Sequence, residues 1–251
     1  MLRVRGVTIG YGSEPVVDGI DLDVLAGQFV TLLGPSGSGK SSLLRAITGL
    51  TPLMRGNIAR DVPANDVGFL FQDDALLPWR TASQNVALGL VIRGASRADA
   101  REQARRWLLA MGLSGLEDRY PRQLSGGQRK RVALAQVFAL KPKLLLMDEP
   151  FASLDAIVRT RITADLITWV EREQLTVLLV THDIEEAITL SDAVYVLSQG
   201  PRGRIISRRD VTIERPRHVI ASRQHARFGA LVQQLWNDLD STPAPRAEVP
   251  Q

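Results

Sequence analysis

The sequence contains no cysteine, which excludes disulfide bonds, thiolate metal sites and cysteine nucleophiles. That absence is compatible with a reducing compartment. Long apolar runs are also missing: none approaches the roughly 20 residues that a helix needs to cross a bilayer. The first residues lack the basic-then-apolar pattern of a secretion signal. We therefore expect a chain that does not span a membrane.

Lysine is scarce beside arginine, so the pI is 9.8 although the formal net charge is only +4. An arginine cluster lies near the end of the chain, formed by Arg202, Arg204, Arg208, Arg209, Arg215 and Arg217. Such a cluster could bind acidic lipid or nucleic acid, or it could be a solvated face near a membrane-facing partner. Because neither interleaved aromatic residues nor a nucleic-acid motif accompanies it, the second interpretation is favoured.

Length and composition are those of a globular protein, with 251 residues of which 45% are apolar and 23% charged. Short apolar segments predict strands at Leu2–Ile9, Ile20–Val24, Phe29–Leu33, Val67–Phe71, Leu144–Met147 and Thr176–Val180. The last two are continuously apolar, so we expect them to be buried on both faces. Helical patterns follow several of these strands, which predicts a mainly parallel sheet wrapped by helices.

The stretch from about Asp73 to Ser125 shows helical patterns without strands, which predicts an inserted helical subdomain. Within it, Ser96 and Asp99 form a capping-box pattern ahead of a helix over Ala100–Met111, which Gly112 would end. Another helical segment follows Pro216. We expect one domain over residues 1–236, with the insertion at about 73–128, and a flexible tail over 237–251.

A glycine-rich segment, the phosphate loop, carries the strongest signal and consists of Gly34, Pro35, Ser36, Gly37, Ser38, Gly39, Lys40 and Ser41. It fits the pattern G-x-x-x-x-G-K-[ST] and lies between the strand Phe29–Leu33 and a helical stripe. Its glycines let backbone N–H groups surround phosphate oxygens, helped by the positive end of the following helix. Lys40 is expected to reach the β- and γ-phosphates and Ser41 to ligate Mg²⁺.

Two acidic residues, Asp148 and Glu149, follow the buried strand Leu144–Met147. They would lie at the carboxyl edge of the sheet, where open α/β sheets bind ligands. Alone, the pair could be a strand end that meets solvent. Beside a phosphate loop, we expect Asp148 to hold Mg²⁺ and Glu149 to orient or deprotonate the attacking water.

The signature segment, Leu124–Gln128, contains a second unusual pattern. Ser125 and Gln128 fit a capping box, which predicts the start of a helix. A cap alone does not call for the consecutive glycines Gly126 and Gly127, which cost helix stability. Free N–H groups at a helix start bind anions, so the segment also predicts a second phosphate-binding element.

In this order and spacing, the phosphate loop, the signature segment and Asp148–Glu149 resemble the nucleotide-binding domain of ABC transporters, from Tyr11 to at least His182. The resemblance implies an α/β fold: a RecA-like P-loop NTPase core with an antiparallel β subdomain and the inserted α-helical subdomain. It implies an ATP hydrolase that uses ATP and Mg²⁺, with Glu149, His182, Gln72 and Lys40 as catalytic residues.

Further roles are implied by the resemblance alone. Tyr11 would stack on adenine, Gln72 would contact Mg²⁺ and water and sense a permease, and His182 would hold the γ-phosphate and the attacking water. Without that context they are more ordinary: a turn tyrosine, a polar strand end and part of a helix cap. The remaining nucleotide contacts would be the phosphate loop with Ser42, then Ser125, Gly126, Gly127, Gln128 and Asp155. The metal ligands would be Ser41, Gln72 and Asp148.

The resemblance also implies partners. Two copies would pack head to tail, with Ser125 and the Gly126–Gly127 amides of one copy covering the γ-phosphate held by Lys40 of the other. Ser153-Leu154-Asp155 would link the two sites. The pair would bind an integral membrane permease, and indirectly a substrate-binding protein, at the cytoplasmic face of the inner membrane.

The segment Phe71–Trp79 with Thr81–Leu90 is similar to the ATPases of nitrate, sulfonate, taurine and bicarbonate importers. There, Leu76, Leu77 and Trp79 could line the groove that receives the permease, or equally fill the subdomain core. Two departures from the family pattern are Gln136, where relatives usually have arginine, and Lys130, which replaces a frequent glutamine. Both follow the signature segment, and we expect activity to be retained.

Two other functions compete with the transporter ATPase. A non-transport ABC ATPase acting on DNA or ribosomes would usually carry a coiled-coil insertion or a second cassette, and neither is visible in the sequence. A P-loop kinase or GTPase would need an acceptor site and lid or a guanine-reading motif, and neither would explain Leu124–Gln128. The transporter ATPase is therefore the favoured prediction.

Overall fold

The computed structural model of the protein describes residues 1–152 and 154–241. Its strands are β1 Leu2–Tyr11, β2 Glu14–Val24, β3 Phe29–Leu33, β4 Arg55–Arg60, β5 Val67–Leu70, β6 Leu144–Asp148, β7 Thr176–Thr181, β8 Ala193–Leu197 and β9 Ile205–Asp210. Its helices are α1 Lys40–Thr48, α2 Ala82–Ile92, α3 Arg97–Ala110, α4 Gly126–Phe138, α5 Ala156–Arg172, α6 Ile184–Leu190, α7 Val219–Gln224 and α8 Phe228–Asp240.

The larger sheet has the order β5-β6-β7-β3-β8-β9, and its first five strands are parallel. Only β9 runs antiparallel, against β8. Every residue of β6 and β7 is buried, so the prediction from their continuous apolar runs is confirmed. Parallel strands bring their carboxyl ends to one edge, which places the residues after β3, β6 and β7 together.

A smaller antiparallel sheet, in the order β2-β1-β4, accounts for the predicted β subdomain. Its second strand begins at Glu14, six residues before the predicted start at Ile20, so that boundary is wrong. The strand includes Pro15, because β2 is an edge strand, where a missing N–H donor is tolerated. Strand β4 was not predicted, because its residues are mostly polar and exposed.

The segment between β5 and β6 contains α2, α3 and α4 and no strand among the described residues, as the predicted helical insertion requires. Ser96 caps α3 by accepting a hydrogen bond from the Asp99 amide (3.1 Å). The helix therefore begins at Arg97, three residues before the predicted start, because the residue after an N-cap is the first helical one. In the described ranges, no helix is both long and apolar enough to cross a membrane.

Most of the arginine cluster is used inside the chain. Five of its six members form ion pairs, which are Arg204–Asp18 (2.8 Å), Arg208–Asp210 (2.7 Å), Arg209–Asp238 (2.6 Å), Arg215–Asp192 (2.6 Å) and Arg217–Asp192 (3.0 Å). Several of these pairs hold the C-terminal elements against the large sheet. Charges paired in this way are poor ligands for nucleic acid or acidic lipid, which counts against the first interpretation of the cluster.

The predicted tail begins too early. Helix α8 continues to Asp240, and its Asp238 is held by Arg209, so residue 237 lies inside an ordered helix. The remainder of that predicted tail, residues 242–251, lies outside the described residues, as does Ser153.

Candidate active site

The phosphate loop connects β3 to α1, as its sequence pattern requires. Gly37 and Gly39 have φ angles of 80° and 92°, in the left-handed region that favours glycine. A Cβ atom on Gly39 would lie 2.5 Å from the Val17 side chain, so glycine is required there for space as well. The loop therefore wraps tightly ahead of α1, with the helix N-terminus directed at any anion that it holds.

Lys40 is the first residue of α1, and its side chain is buried. Its Nζ donates to the carbonyl oxygens of Gly34 (2.8 Å) and Pro35 (2.7 Å) and lies 3.8 Å from Glu149 Oε1. Burial lowers the pKa of Lys40, while the charges of Glu149 and Asp148 oppose that shift. A phosphate group beside this ammonium would favour its charged form further.

Asp148 is the last residue of β6 and is buried, and its Oδ1 accepts a hydrogen bond from Ser41 Oγ (2.8 Å). Burial raises the pKa of Asp148, and the hydrogen bond from Ser41 opposes it. A nearby cation would stabilise the carboxylate at this position. The structure thus brings together two of the three predicted metal ligands, and the third, Gln72, lines the same cleft.

Glu149 follows Asp148 with a φ of 41°, a backbone conformation that is strained for a residue with a side chain. Its Oε2 lies 3.0 Å from His182 Nδ1, and His182 directly follows β7. An ionised carboxylate can only accept, so a hydrogen on Nδ1 makes His182 the donor. Because β6 and β7 are neighbouring parallel strands, the sequence prediction that Glu149 and His182 act together has a geometric basis.

Several of these groups line a cleft of about 420 Å³, although Asp148 and His182 are not among its lining residues. Its lining residues are Val16, Ser36, Gly37, Gly39, Lys40, Ser41, Ser42, Gln72 and Glu149. Val16 is the one that sequence analysis did not predict, because nothing in a valine of an edge strand indicates a ligand. Tyr11 lies beside the cleft, with its hydroxyl 3.3 Å from Ser42 Oγ. In the described part of the chain, neither Ser125–Gln128 nor Asp155 contributes to the lining.

The signature segment opens α4 with the predicted capping box. Ser125 Oγ accepts from the Gln128 amide (3.3 Å), and Gln128 Oε1 accepts from the Ser125 amide (2.9 Å). Gly127 has a packing reason to be glycine, since a Cβ atom there would lie 2.6 Å from Val158 Cγ1. Gly126 has open space, with its nearest neighbour 3.8 Å away, so it leaves the helix start accessible.

Asp155 is the N-cap of α5, and its Oδ1 accepts from the amides of Ile157 (3.1 Å) and Val158 (3.0 Å). This contact gives the aspartate a structural purpose within its own chain. Its predicted role in nucleotide binding stays a prediction.

In the helical insertion, Leu76 packs against the main hydrophobic core, whereas the Trp79 side chain is 70% exposed. The two alternatives for this segment, filling the subdomain core and lining a groove for the permease, therefore apply to different residues. Leu76 belongs with the core, and Trp79 is available to a partner.

Glu186, on α6, was missed by sequence analysis, because a glutamate in a helical pattern reads as a surface residue. It is buried, and burial raises its pKa to about 7 despite a hydrogen bond from Thr181 and the charge of Arg159, with Asp183 and Glu149 raising it further. The ordinary pKa of a glutamate is 4.5, so Glu186 binds its proton more tightly in the folded state than in the unfolded state. The contribution of Glu186 to stability should therefore be greatest below pH 4.5 and fall as the pH rises to about 7.

We expect Glu186→Gln to remove this pH dependence and to raise the free energy of unfolding at pH 8 by roughly 2–3 kcal/mol. Urea unfolding at several pH values between 4.5 and 8 measures both effects. Glu185→Gln is the matched control. The carboxylate of Glu185, the residue before Glu186, is exposed and pairs with Arg223 at the surface (3.3 Å). Parallel pH profiles for the wild type and Glu186→Gln would contradict the prediction.

A chain built in this way is a P-loop nucleoside triphosphatase, whose phosphate site opens at the carboxyl edge of a parallel sheet. The family model described as "ABC transporter" matches residues 17–152. The chain belongs to the ABC transporter family and is an ATP-binding subunit that hydrolyses ATP. The expected fold class is confirmed with it.

Individual relatives agree along most of the chain. An aliphatic sulfonates import ATP-binding protein of Rhodococcus jostii is 44% identical, covering 89% of this chain and 88% of the relative. A taurine import ATP-binding protein of Escherichia coli O157:H7 is 41% identical, covering 83% of each. Among solved structures, the ATP-binding cassette MJ0796, a dimer in a post-hydrolysis state bound to ADP and Pi, superposes with a TM-score of 0.74. It is 31% identical, covering 85% of this chain and 100% of that one.

Proposed function

We propose that this chain is the ATPase of an importer for a small anion, of the class that includes taurine and other sulfonates, nitrate and bicarbonate. The observation that carries the proposal is its similarity, over more than four fifths of both chains, to sulfonate and taurine import ATP-binding proteins. A sulfonate is the favoured solute, because both kinds of relative are named for one.

In the proposed reaction, the phosphate loop amides and Lys40 bind the nucleotide phosphates. Glu149 accepts a proton from the attacking water, and His182 holds the Glu149 carboxylate in place through Nδ1. The strained backbone of Glu149 is consistent with a side chain fixed for one task. Tyr11 would contact the base, and its proximity to Ser42, next to the loop, supports this role.

Mg²⁺ fits this site, because Ser41 and Asp148 present adjacent oxygen atoms and Gln72 lines the same cleft. No cluster of three histidine, cysteine or acidic residues exists in the described ranges. Mg²⁺ does not require one, since it is usually held by one or two carboxylates together with substrate phosphates and water. When bound, the ion would neutralise phosphate charge during hydrolysis.

We further propose that two copies assemble head to tail, so that each signature segment completes the other copy's cleft. Two observations support this. The cleft is lined from one side by the phosphate loop and receives nothing from Ser125–Gln128 of its own chain. The start of α4 at Gly126 is accessible, and free N–H groups at a helix start can bind an anion. The MJ0796 cassette, which this chain resembles, is itself a dimer.

The proposed partner in the membrane is an integral permease, served by a substrate-binding protein, with this chain bound peripherally at the cytoplasmic face. The exposed Trp79 in the helical insertion is available for that contact. ATP hydrolysis would then separate the two copies and move the permease.

The proposal is tested by purifying the tagged chain from detergent-solubilised native membranes and identifying its partners by mass spectrometry. We expect a multi-span permease in comparable amount, and cells that carry the wild-type chain to take up labelled taurine or an alkanesulfonate. A chain with Glu149→Gln should retain the permease and abolish uptake. Recovery of nucleic-acid or ribosomal partners without a permease would overturn the transport function and leave the ATPase chemistry intact.

A further inference from the structure

Lys130 lies on α4, five residues after the N-cap Ser125, and its side chain is only 1% exposed. Burying an ammonium group is costly unless it is paired and hydrogen-bonded. Here Nζ lies 2.8 Å from Asp74 Oδ1 and donates to the Gln72 carbonyl oxygen at 3.2 Å. Both partners belong to the connection that follows β5, so a single side chain joins that connection to α4.

The connection, Phe71–Arg80, has no helix or strand of its own and is called the Gln72 loop below. Its position must therefore come from side-chain contacts. Its second half is held by Asn85, which donates to the carbonyl oxygens of Leu77 (3.2 Å) and Arg80 (3.1 Å). Its first half, which contains Gln72, is held by Lys130.

The contact with Asp74 is reinforced by a second basic residue. Arg129 Nε lies 3.5 Å from Asp74 Oδ2, and Arg129 also donates to the Leu124 carbonyl (2.8 Å) at the start of the signature segment. The Arg129 side chain is 40% exposed, so water can solvate its charge if the contact with Asp74 is lost. The Lys130 side chain is buried, so its charge depends on Asp74 and the Gln72 carbonyl oxygen. A buried charge that loses its partner costs far more than an exposed one.

The Gln72 side chain lines the nucleotide cleft together with Lys40 and Glu149. Lys130 itself does not line the cleft, so any effect that it has on the reaction must pass through Gln72. We propose that Lys130 is a positioning residue for ATP hydrolysis. Its ammonium group clamps the Gln72 loop to α4 and keeps the Gln72 side chain at the cleft. This inference rests on the proposed role of Gln72 in the reaction.

The test is Lys130→Met in the full-length chain, because methionine fills similar volume without a donor or a charge. We expect kcat for ATP hydrolysis to fall about tenfold while KM for ATP changes less than about twofold, since misplacing a reacting group affects turnover more than binding. In nucleotide-free protein, cleavage of the chain before Asp73 or Asp74 by an aspartate-specific endoproteinase should accelerate about tenfold, because the protease needs the loop released from α4. The cleavage readout does not depend on bound metal or on activity.

Three companions make the result specific. Lys143→Met removes another lysine–aspartate pair, with Asp66 (2.9 Å), which is exposed and remote from the cleft, and should change neither readout. Lys130→Gln keeps a hydrogen-bond donor, so its effects on both readouts should be intermediate. It replaces Lys130→Met as the test variant if that protein fails to fold. In a Gln72→Ala background, Lys130→Met should lower kcat little further, because both changes act through one group.

Unchanged cleavage before Asp73 and Asp74 in both Lys130 variants would overturn the inference, as would equal loss of kcat with and without Gln72. If Gln72→Ala alone hydrolyses ATP normally, the proposed role of Gln72 fails instead. The two failures are therefore distinguishable.

Discussion

Glu149→Gln should bind ATP as the wild type does and hydrolyse it at least ~10²-fold more slowly, as expected for loss of a general base. The substitution keeps the shape of the side chain and an oxygen that can accept from His182 Nδ1, 3.0 Å away in the wild type. It removes the group that takes up the proton. Nucleotide affinity by equilibrium binding and phosphate release under saturating ATP separate the two effects.

The matched control for this prediction is Glu102→Gln. Glu102 is an exposed glutamate on α3 that pairs with Arg106 one helical turn away (3.1 Å), and surface pairs of this kind contribute little. Its loss should leave hydrolysis unchanged. Near-normal turnover by Glu149→Gln would remove Glu149 from the proposed reaction and leave the phosphate loop assignment untouched.

Lys40→Ala should weaken ATP binding by at least ~10²-fold, because it removes a largely desolvated charge that pairs with phosphate. The wild-type ammonium is buried between loop carbonyls and lies 3.8 Å from Glu149 Oε1, so its removal leaves carbonyl and carboxylate oxygens facing the phosphates. The loss should appear directly in the dissociation constant for ATP, measured by calorimetry or by a fluorescent analogue.

Lys143→Ala, at an exposed pair with Asp66, is the control for a lost lysine and should bind ATP normally. Thermal unfolding of both variants in the absence of nucleotide verifies that each is folded before its affinity is compared. Unchanged ATP affinity in a folded Lys40→Ala chain would exclude Lys40 from the site.

The elements that sequence reasoning predicted well are those whose signal is local. The phosphate loop, the continuously apolar β6 and β7, and the caps at Ser96 and Ser125 each depend on a few consecutive residues. Their structural reasons, which are backbone conformation, burial on two faces and hydrogen bonds to nearby amides, act over the same short distance.

The features that were missed depend on distant parts of the chain. The start of β2 at Glu14 follows from pairing with β1, and the arginine cluster is neutralised by aspartates up to 186 residues away. Gly127 looked like part of an anion site, yet the structure adds a packing requirement from Val158 on another helix. The pKa of Glu186 and the burial of Lys130 likewise arise from tertiary packing.

The close approach of Gly127 to Val158 has a mechanical consequence. Helices α4 and α5 are in close contact there, and one turn further along α4 they are bridged by Arg131 and Asp165 (2.7 Å). Contacts at two levels resist separate movement of the two helices. We therefore expect a displacement of α4 to move Asp155, at the start of α5, together with Ser125.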